Sequence, residues 1–288
     1  TRVLPERPGI AVIHSSFHGL MPPKGFEPWD ALFAVRSLVQ RGWTVALPAF
    51  TFAFCRTGVF DMRTSASETG IFATWLLGLD PEAIRTPHPI YSFAAVGPRA
   101  AEIAACPSAT TFGDDSPFGL FERANARLVM LGCGWDACTQ IHRYEETAKV
   151  PYRFFKEFKG SADFGNGPSP AAASMFVRDL DIDAANDFDI LARDLHEKGV
   201  VETSRLFRGR VEATDAAHLK EIAARSLGAD PYHYVHDRQR VARAVATKAE
   251  AASQPPLRLA VLGSFNLQDR KSTRLNSSHG YISYAVFC

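Results

Sequence analysis

The chain has 288 residues, of which 46% are hydrophobic and 22% are charged, and its formal net charge is +1 at pH 7. This is an ordinary globular composition, and a chain of this length can hold a core without disulfide bonds. The balanced charge provides no long-range field that attracts nucleic acid, and no run reaches the roughly 18 consecutive apolar residues of a membrane-spanning helix. We therefore expect neither nucleic acid nor a membrane as a partner.

The cysteines are odd in number and irregular in spacing: Cys55, Cys106, Cys133, Cys138 and Cys288. Such a set fits reduced thiols better than a disulfide framework. The predicted location is therefore the cytoplasm.

Short apolar runs rich in β-branched residues alternate with amphipathic segments, which predicts strands interleaved with helices. The predicted strands are residues 10–14, 44–47, 91–96 and 128–132, and the predicted helices are residues 29–41, 67–77, 99–105 and 139–148. The helix at 67–77 opens at a serine that can cap it. The predicted fold class is α/β, a three-layer sandwich with a central sheet.

From about residue 184 the pattern becomes mostly helical, with segments at 186–198, 215–226 and 231–251, which predicts a helical C-terminal portion. Residues 1–250 are predicted to form one domain, and 251–256 a linker. Residues 257–269 read as the start of a truncated second domain. Residues 270–288 resemble a translated sequencing-adapter tail, and we expect them to be non-native.

A pair of side chains with acid–base character follows the apolar strand LVMLGC and a turn that contains Gly132 and Gly134. Such a turn delivers the next helix to the carboxyl end of the sheet, where open α/β folds bind their ligands. His142 and Glu145 are three residues apart, so on a helix they point to one side. A carboxylate that bonds one imidazole nitrogen leaves the other to act as a general base.

Two other interpretations of this region stay open. His142 can be a structural histidine beside a solvated Glu145, since a His-x-x-Glu pair alone is a weak signal. Cys133, Cys138 and His142 also form a possible zinc set, although no Cys-x-x-Cys pair and no fourth ligand accompany them.

Two further segments indicate a ligand site. IHSSFHGL is a strand that runs into hydroxyl residues, which can hold a phosphate or a pantetheine carbonyl or merely end the strand and cap a helix. TPHPIYSFAAVG is an extended strand entry with small residues along which a ligand can lie. His88 lies between its two prolines, either at the ligand or bonded within the loop.

Taken in order, IHSSFHGL, ALPAFTF, FDMRTSASETG, IRTPHPIYSFAAVGPRA, GDDSPFGLF, LVMLGCGWDACTQIH and NDFDIL resemble the aminoglycoside 3-N-acetyltransferase family, over about residues 8–235. The resemblance implies acetyl-CoA as a co-substrate, no metal, and direct acetyl transfer to an amine of an aminoglycoside or amino sugar. His142 takes the position of the family's base, with Glu145 beside it. The implied cofactor-binding residues are Ser15, Ser16, Phe17, Thr51, His88, Ser92, Phe93 and Ala94, and the implied acidic partners of the amine substrate are Asp61, Glu68, Asp187 and Asp189.

The chain departs from the family pattern at residues 132–139, where Trp135 and Cys138 replace polar residues. This predicts a drier pocket and an acceptor that is less cationic. An alternative function is therefore a biosynthetic acyltransferase that acts on another small molecule or on a carrier-tethered intermediate. A third is a non-enzymatic ligand-binding or metal-binding module, and the oligomeric state stays open.

Overall fold

The computed structural model describes residues 3–107 and 110–253. Within them the strands are β1 (Ile10–Ser15), β2 (Thr44–Pro48), β3 (Val59–Asp61), β4 (Ile84–Arg85), β5 (Phe93–Val96), β6 (Arg127–Leu131), β7 (Arg153–Asp163), β8 (Pro168–Arg178), β9 (Glu202–Leu206) and β10 (Gly209–Asp215). The helices are α1 (Phe17–Leu20), α2 (Pro28–Gln40), α3 (Phe54–Thr57), α4 (Ile71–Leu79), α5 (Ala100–Ala104), α6 (Pro117–Arg123), α7 (Ile141–Thr147), α8 (Phe188–Glu197), α9 (Ala216–Ala229) and α10 (Arg238–Ser253).

The central sheet has seven strands in the order β4-β5-β2-β1-β6-β10-β9. β1 lies between β2 and β6 and is parallel to both, with Ile10 opposite Thr44 and Val12 opposite Leu128. A strand covered on both faces reads as an unbroken apolar run, which is why IAVIH predicts β1 well. β5 and β10 run antiparallel to their inner neighbours. The predicted α/β fold with a central sheet is confirmed.

Alternate side chains of β1 pack into two separate hydrophobic cores. Val12 packs in a core that contains Ile141 of α7 and Leu219 of α9. Ile13 packs in the other core, against side chains that include Leu32 of α2. Because successive residues of a strand point to opposite faces, one apolar run holds a helical layer on each side. Each such side chain contributes about 1.5–3 kcal/mol when it is fully buried. The three-layer arrangement is therefore confirmed.

A second sheet, in the order β3-β7-β8, is absent from the sequence prediction. β7 and β8 form a long antiparallel hairpin that pairs Arg153 with Arg178 at its base and Asp163 with Pro168 at its tip. The Asp163 Oδ1 atom accepts from the backbone amides of Gly165 at 2.7 Å and Gly167 at 3.1 Å, which closes the turn. Charged, exposed side chains interrupt the apolar pattern of β7, but the Gly-Asn-Gly stretch is a hairpin signal that was available.

The C-terminal portion is helical, as predicted, but it also contains two strands that the prediction lacked. β9 and β10 pair antiparallel and extend the central sheet beside β6. The helix predicted at 231–251 begins only at Arg238 and continues to Ser253, so the first three residues of the predicted linker are helical. The proposed second domain and tail lie outside the described residues.

The helix predicted at 67–77 is shorter at its start than the sequence indicated. α4 begins at Ile71, and Gly70 before it has a φ of 100°. The Ser67 hydroxyl does not cap the helix, because it accepts instead from the backbone amide of Thr69 at 3.4 Å. Residues 67–70 therefore form a loop at the carboxyl edge of the central sheet. The other predicted elements agree with the structure to within about three residues, close to the usual uncertainty of element ends.

Candidate active site

A cavity of about 650 Å³ lies at the carboxyl ends of β1, β2 and β6. Parallel strands deliver their following loops to the same edge, which is where open α/β sheets bind ligands. The volume falls within the range typical of small-molecule sites. The wall is contributed by the ends of the strands and the loops after them: His14, Ser15, Pro48, Phe50, Phe52, Glu68, Thr69, Gly70, Asp136, Ala137, Thr139, His142, Arg178, Ala185, Asn186 and Phe188.

The predicted His142 and Glu145 pair is present, and His142 lines this cavity. Both residues lie on α7 and are buried, and the His142 Nδ1 atom is 2.5 Å from the Glu145 Oε2 atom. The rings of Phe112 and Phe188 flank the imidazole at centroid distances of 5.8 and 5.7 Å. The carboxylate thus holds one ring nitrogen, and the flanking rings restrict the orientation of the imidazole.

Glu145 is held by three further donors that lie outside α7. The Tyr152 hydroxyl and the Asn186 amide each donate to the Oε1 atom at 2.8 Å, and the Arg153 guanidinium is 3.1 Å from the Oε2 atom. Burial by itself raises the pKa of Glu145, but the charge of Arg153 and the interactions with His142 outweigh it and lower the pKa to about 2. Glu145 is therefore a carboxylate throughout the neutral pH range, as a residue that orients a histidine must be.

A second histidine, which sequence reasoning did not select, lies in the cavity wall at the end of β1. His14 is buried, and its Nε2 atom accepts from the backbone amide of Thr139 at 3.4 Å. Burial lowers the pKa of His14 to about 4, so its ring is uncharged at neutral pH. Its position directly before Ser15 and Ser16, at the end of a predicted strand, was the sequence signal that could have selected it as a site residue.

Of the first group of predicted cofactor residues, Ser15 lines the cavity, whereas three others have bonding or packing roles. The Ser16 hydroxyl accepts from the Gly19 amide at 3.2 Å and caps α1. Phe17 packs against other aromatic rings, with the Trp75 centroid at 4.8 Å. The Thr51 hydroxyl is buried and accepts from Arg85 at 2.7 Å. We therefore retain Ser15 as the candidate cofactor contact from this group.

The second group of predicted cofactor residues lies in the core and away from the cavity wall. Phe93 and Ala94 are completely buried in β5, and the Ser92 hydroxyl donates to the Ala49 carbonyl at 2.7 Å. The His88 Nδ1 atom accepts from the amides of Ile90 at 3.0 Å and Tyr91 at 2.8 Å. None of these four buried side chains lines the cavity in this structure, and their role as cofactor contacts stays a prediction. Sequence reasoning had left the loop-bonding role of His88 open.

His88 gives a testable pH dependence of stability. Burial lowers its pKa to about 3, below the ordinary value of 6.5, so the unfolded chain takes up this proton first as the pH falls. Stability is lost from about pH 6.5 downward, and the share due to His88 between pH 7.5 and pH 5 is about 2 kcal/mol. Urea unfolding should show that His88→Asn weakens this pH dependence by that amount. The exposed His18→Asn should keep the wild-type dependence, and an unchanged slope for His88→Asn would contradict the assignment.

The predicted acidic residues are divided between the cavity and other sites. Glu68 lines the cavity, and its carboxylate accepts from the Ala53 amide at 2.6 Å. Asp61 instead accepts from the Arg63 amide at 2.8 Å in the turn after β3. Asp187 caps α8 and accepts from the amide of the exposed Asp189 at 3.2 Å. At the start of a helix the two aspartate side chains point in different directions. Neither of them lines the cavity, although the adjacent residues Asn186 and Phe188 do.

The loop after β6 has a different arrangement from the one predicted. Trp135 and Cys138 are buried, and the loop presents Asp136, Ala137 and Thr139 to the cavity. The Trp135 Nε1 atom donates to the Glu212 carboxylate on β10 at 2.8 Å. Trp135 and Cys138 therefore do not line the cavity, and Trp135 anchors the loop to the sheet. The drier pocket stays a prediction.

The hydrogen bond between Trp135 and Glu212 predicts a moderate loss of stability when Trp135 is substituted. Trp135→Phe keeps most of the buried ring but removes the hydrogen bond to Glu212, which should lower the free energy of unfolding by about 1–2 kcal/mol. Urea unfolding at pH 7 measures the change. The exposed Trp29→Phe is the matched control and should change it by less than about 0.5 kcal/mol. Equal effects of the two substitutions would show that the bond is not stabilising.

No group of three or more His, Cys, Asp or Glu side chains with metal-binding geometry occurs in residues 3–107 and 110–253, so Cys133, Cys138 and His142 do not form one there. In the same part of the chain, no helix has both the length and the apolar character needed to cross a bilayer. Cys55, Cys106, Cys133 and Cys138 are free thiols.

The fold and site together define an α/β protein with a ligand cavity at the carboxyl edge of its sheet and a buried histidine–carboxylate pair in the cavity wall. The family model described as aminoglycoside 3-N-acetyltransferase matches residues 12–227. The chain therefore belongs to the aminoglycoside 3-N-acetyltransferase family.

Individual relatives agree with this membership. Aminoglycoside N(3)-acetyltransferase IV of Salmonella sp is 31% identical over 147 residues, which are 50% of this chain and 54% of that protein. The chain thus spans about half the length of the curated relatives that it matches. Two solved structures share the fold. AAC-IIIb with CoASH has a TM-score of 0.64 at 19% identity, covering 77% of this chain and 90% of that one. Sisomicin-bound AAC-VIa has a TM-score of 0.67 at 20% identity, covering 79% and 94%.

Proposed function

We propose that the protein is an acyl-CoA-dependent N-acyltransferase that transfers the acetyl group of acetyl-CoA to an amine of an aminoglycoside or amino sugar. The observation that carries the proposal is the buried His142–Glu145 pair in the wall of a large cavity, in a chain of this family. The CoASH-bound and sisomicin-bound neighbours support the choice of donor and acceptor. The cytoplasmic location stays a prediction.

The chemistry that we propose requires a base at this position. An amine is largely protonated at neutral pH and must lose a proton before it attacks the thioester carbonyl. Glu145 bonds Nδ1 of His142, so the Nε2 atom is the one that takes the proton from the amine. The ammonium first loses one proton to solvent, and the free amine attacks the thioester carbonyl carbon. As the nitrogen–carbon bond forms, Nε2 takes a second proton from that nitrogen, the carbon–sulfur bond of the tetrahedral intermediate breaks, and the departing thiolate receives this second proton from His142.

The intermediate carries a negative oxygen that needs hydrogen-bond donors. Ser15 and Thr69 have hydroxyl groups in the cavity wall, and we propose Ser15 as a donor. The hydroxyls of Ser16 and Thr51 are engaged elsewhere, with the Gly19 amide and with Arg85. No covalent acyl-enzyme is required.

Acetyl transfer can be measured directly with the purified full chain. The protein is incubated with acetyl-CoA and a panel of amines that includes aminoglycosides, and thiol release is followed while calorimetry measures coenzyme A binding. We expect saturable release with at least one amine. The proposal fails if no amine is acetylated and coenzyme A does not bind.

A second candidate is a biosynthetic acyltransferase whose acceptor, a small molecule or a carrier-tethered intermediate, bears an anionic group. It is favoured by Arg178, which contributes a cation to the cavity wall beside the acids Glu68 and Asp136, while the Glu68 carboxylate is bonded to Ala53 and lies 3.5 Å from Arg56. An anionic group on the acceptor can pair with Arg178. Faster transfer to an amino sugar phosphate than to an aminoglycoside, reversed by Arg178→Gln, would select this candidate.

A further inference from the structure

An arginine from a different sheet completes the environment of the histidine–carboxylate pair. Arg153 begins β7 and is almost completely buried, with its guanidinium 3.1 Å from the Glu145 Oε2 atom, the oxygen that bonds His142. The same guanidinium donates to the Asn186 Oδ1 atom at 2.9 Å and to the Phe176 carbonyl at 3.2 Å. Since α7, β7 and the segment before α8 all contribute, the carboxylate has one defined position.

The charges of the buried side chains of Arg153, Glu145 and His142 must balance. A carboxylate without a counter-charge in such a place is strongly disfavoured, and it recruits a proton to itself or to a bonded neighbour. Beside Glu145 that neighbour is His142. With Arg153 present, the negative charge is already compensated while the imidazole is uncharged, and a proton on His142 would leave a net positive charge in the group.

Other charged groups around the pair are paired elsewhere or lie at the open side of the cavity. On α7 itself, Arg143 is 2.9 Å from Glu122 and 2.6 Å from Asp114. His14 on β1 is uncharged at neutral pH, for the reason given above. The other ionised groups facing the cavity are Asp136 after β6, Glu68 beside Arg56, and Arg178 on β8, while Asp187 is 3.3 Å from His236. Arg153 is the cation in direct contact with Glu145.

We propose that Arg153 is a positioning residue that neutralises Glu145 and thereby keeps His142 uncharged at neutral pH, ready to accept a proton. Arg153 acts through Glu145 and does not itself touch a substrate. The role in catalysis rests on the proposed function, whereas the protonation of His142 can be measured without any turnover.

The test compares Arg153→Met with Arg153→Lys by NMR titration of isotopically labelled histidine, with the His142 signal identified from its loss in His142→Gln. We expect the midpoint of the His142 titration to rise by about 1–2 pH units in Arg153→Met, the size of effect that a lost neighbouring charge produces. Arg153→Lys should stay within about 0.5 pH units of wild type. Arg99→Met removes a surface arginine that pairs with Glu102 and should leave the midpoint unchanged.

An unchanged midpoint in folded Arg153→Met would overturn the proposal. If that variant does not fold, Asn186→Asp decides the question, because Asn186 is half-buried and contacts both Glu145 and Arg153. Its added carboxylate competes for Arg153 and should also raise the midpoint, and no rise would overturn the proposal.

Activity provides a second measurement. If the chain transfers acetyl groups, the acid limb of the kcat/KM profile should move upward with the His142 midpoint in Arg153→Met. A role of Arg153 in stability alone would lower the amount of folded protein without moving that limb. If the chain acetylates no amine, the proposed function fails, while the titration still decides the role of Arg153.

Discussion

His142→Ala is expected to lower kcat for acetyl transfer by about 1000-fold while the affinity for coenzyme A stays within about threefold of wild type. The imidazole is the group placed to take the proton from the attacking amine, and that transfer belongs to the chemical step. Binding of coenzyme A depends on the rest of the cavity wall, which keeps its shape because α7 is anchored by Ile141 and Tyr144 in the core. Steady-state kinetics and calorimetry on the same preparations measure the two quantities.

The matched control is His18→Ala, which removes an exposed histidine of α1 that does not line the cavity. It should retain the wild-type rate. A rate for His142→Ala above one tenth of wild type would show that another group, or the solvent, removes the proton. Loss of coenzyme A binding together with activity would instead assign His142 to the shape of the site.

Glu145→Gln is expected to lower the free energy of unfolding by about 3 kcal/mol at pH 7, because it leaves the buried Arg153 without its counter-charge. The pH dependence has a defined sign. The folded-state pKa of Glu145, about 2, lies below the ordinary value of 4.5, so the carboxylate stabilises the fold above about pH 4.5 and loses that contribution as the pH falls. The difference in free energy of unfolding between wild type and Glu145→Gln should therefore decrease by about 1 kcal/mol between pH 7 and pH 4.

Glu146→Gln supplies the control at the next position of the same helix. Burial raises the pKa of the half-buried Glu146, so its charge does not stabilise the fold in the way that the charge of Glu145 does. We expect Glu146→Gln to change the free energy of unfolding by less than about 0.5 kcal/mol. Urea unfolding of the three proteins at both pH values tests the prediction, which fails if Glu145→Gln is as stable as the control.

The sequence predicted the parts of the site that depend on local spacing. His142 and Glu145 are three apart on one helix, and the Gly-containing turn after β6 places that helix at the carboxyl edge. Ser15 is the last residue of β1. Each of these positions is decided within a few residues of an apolar strand that the sequence marks clearly, whereas Glu68 was selected through the family resemblance.

The predicted cofactor residues that lie in the core show the limit of this reasoning. Ser92 and His88 are polar residues beside a strand, as binding residues often are, yet their bonds to Ala49, Ile90 and Tyr91 satisfy the backbone of the loops that they join. The sequence does not show whether a polar side chain faces a ligand or a buried backbone amide. In this structure the burial of β5 distinguishes these two environments.

The sequence by itself determined the central strands and the two helical layers, because periodicity decides these, and the family resemblance selected His142 as the candidate base. The tertiary structure alone showed that Tyr152 and Arg153 from β7 and Asn186 from the segment before α8 converge on Glu145. The same holds for Trp135, which points into the core and bonds a strand 77 positions further along the chain. These contacts join elements that are distant in sequence. They form because the second sheet packs beside the first, and the charged pattern of β7 is the reason that this sheet was not predicted.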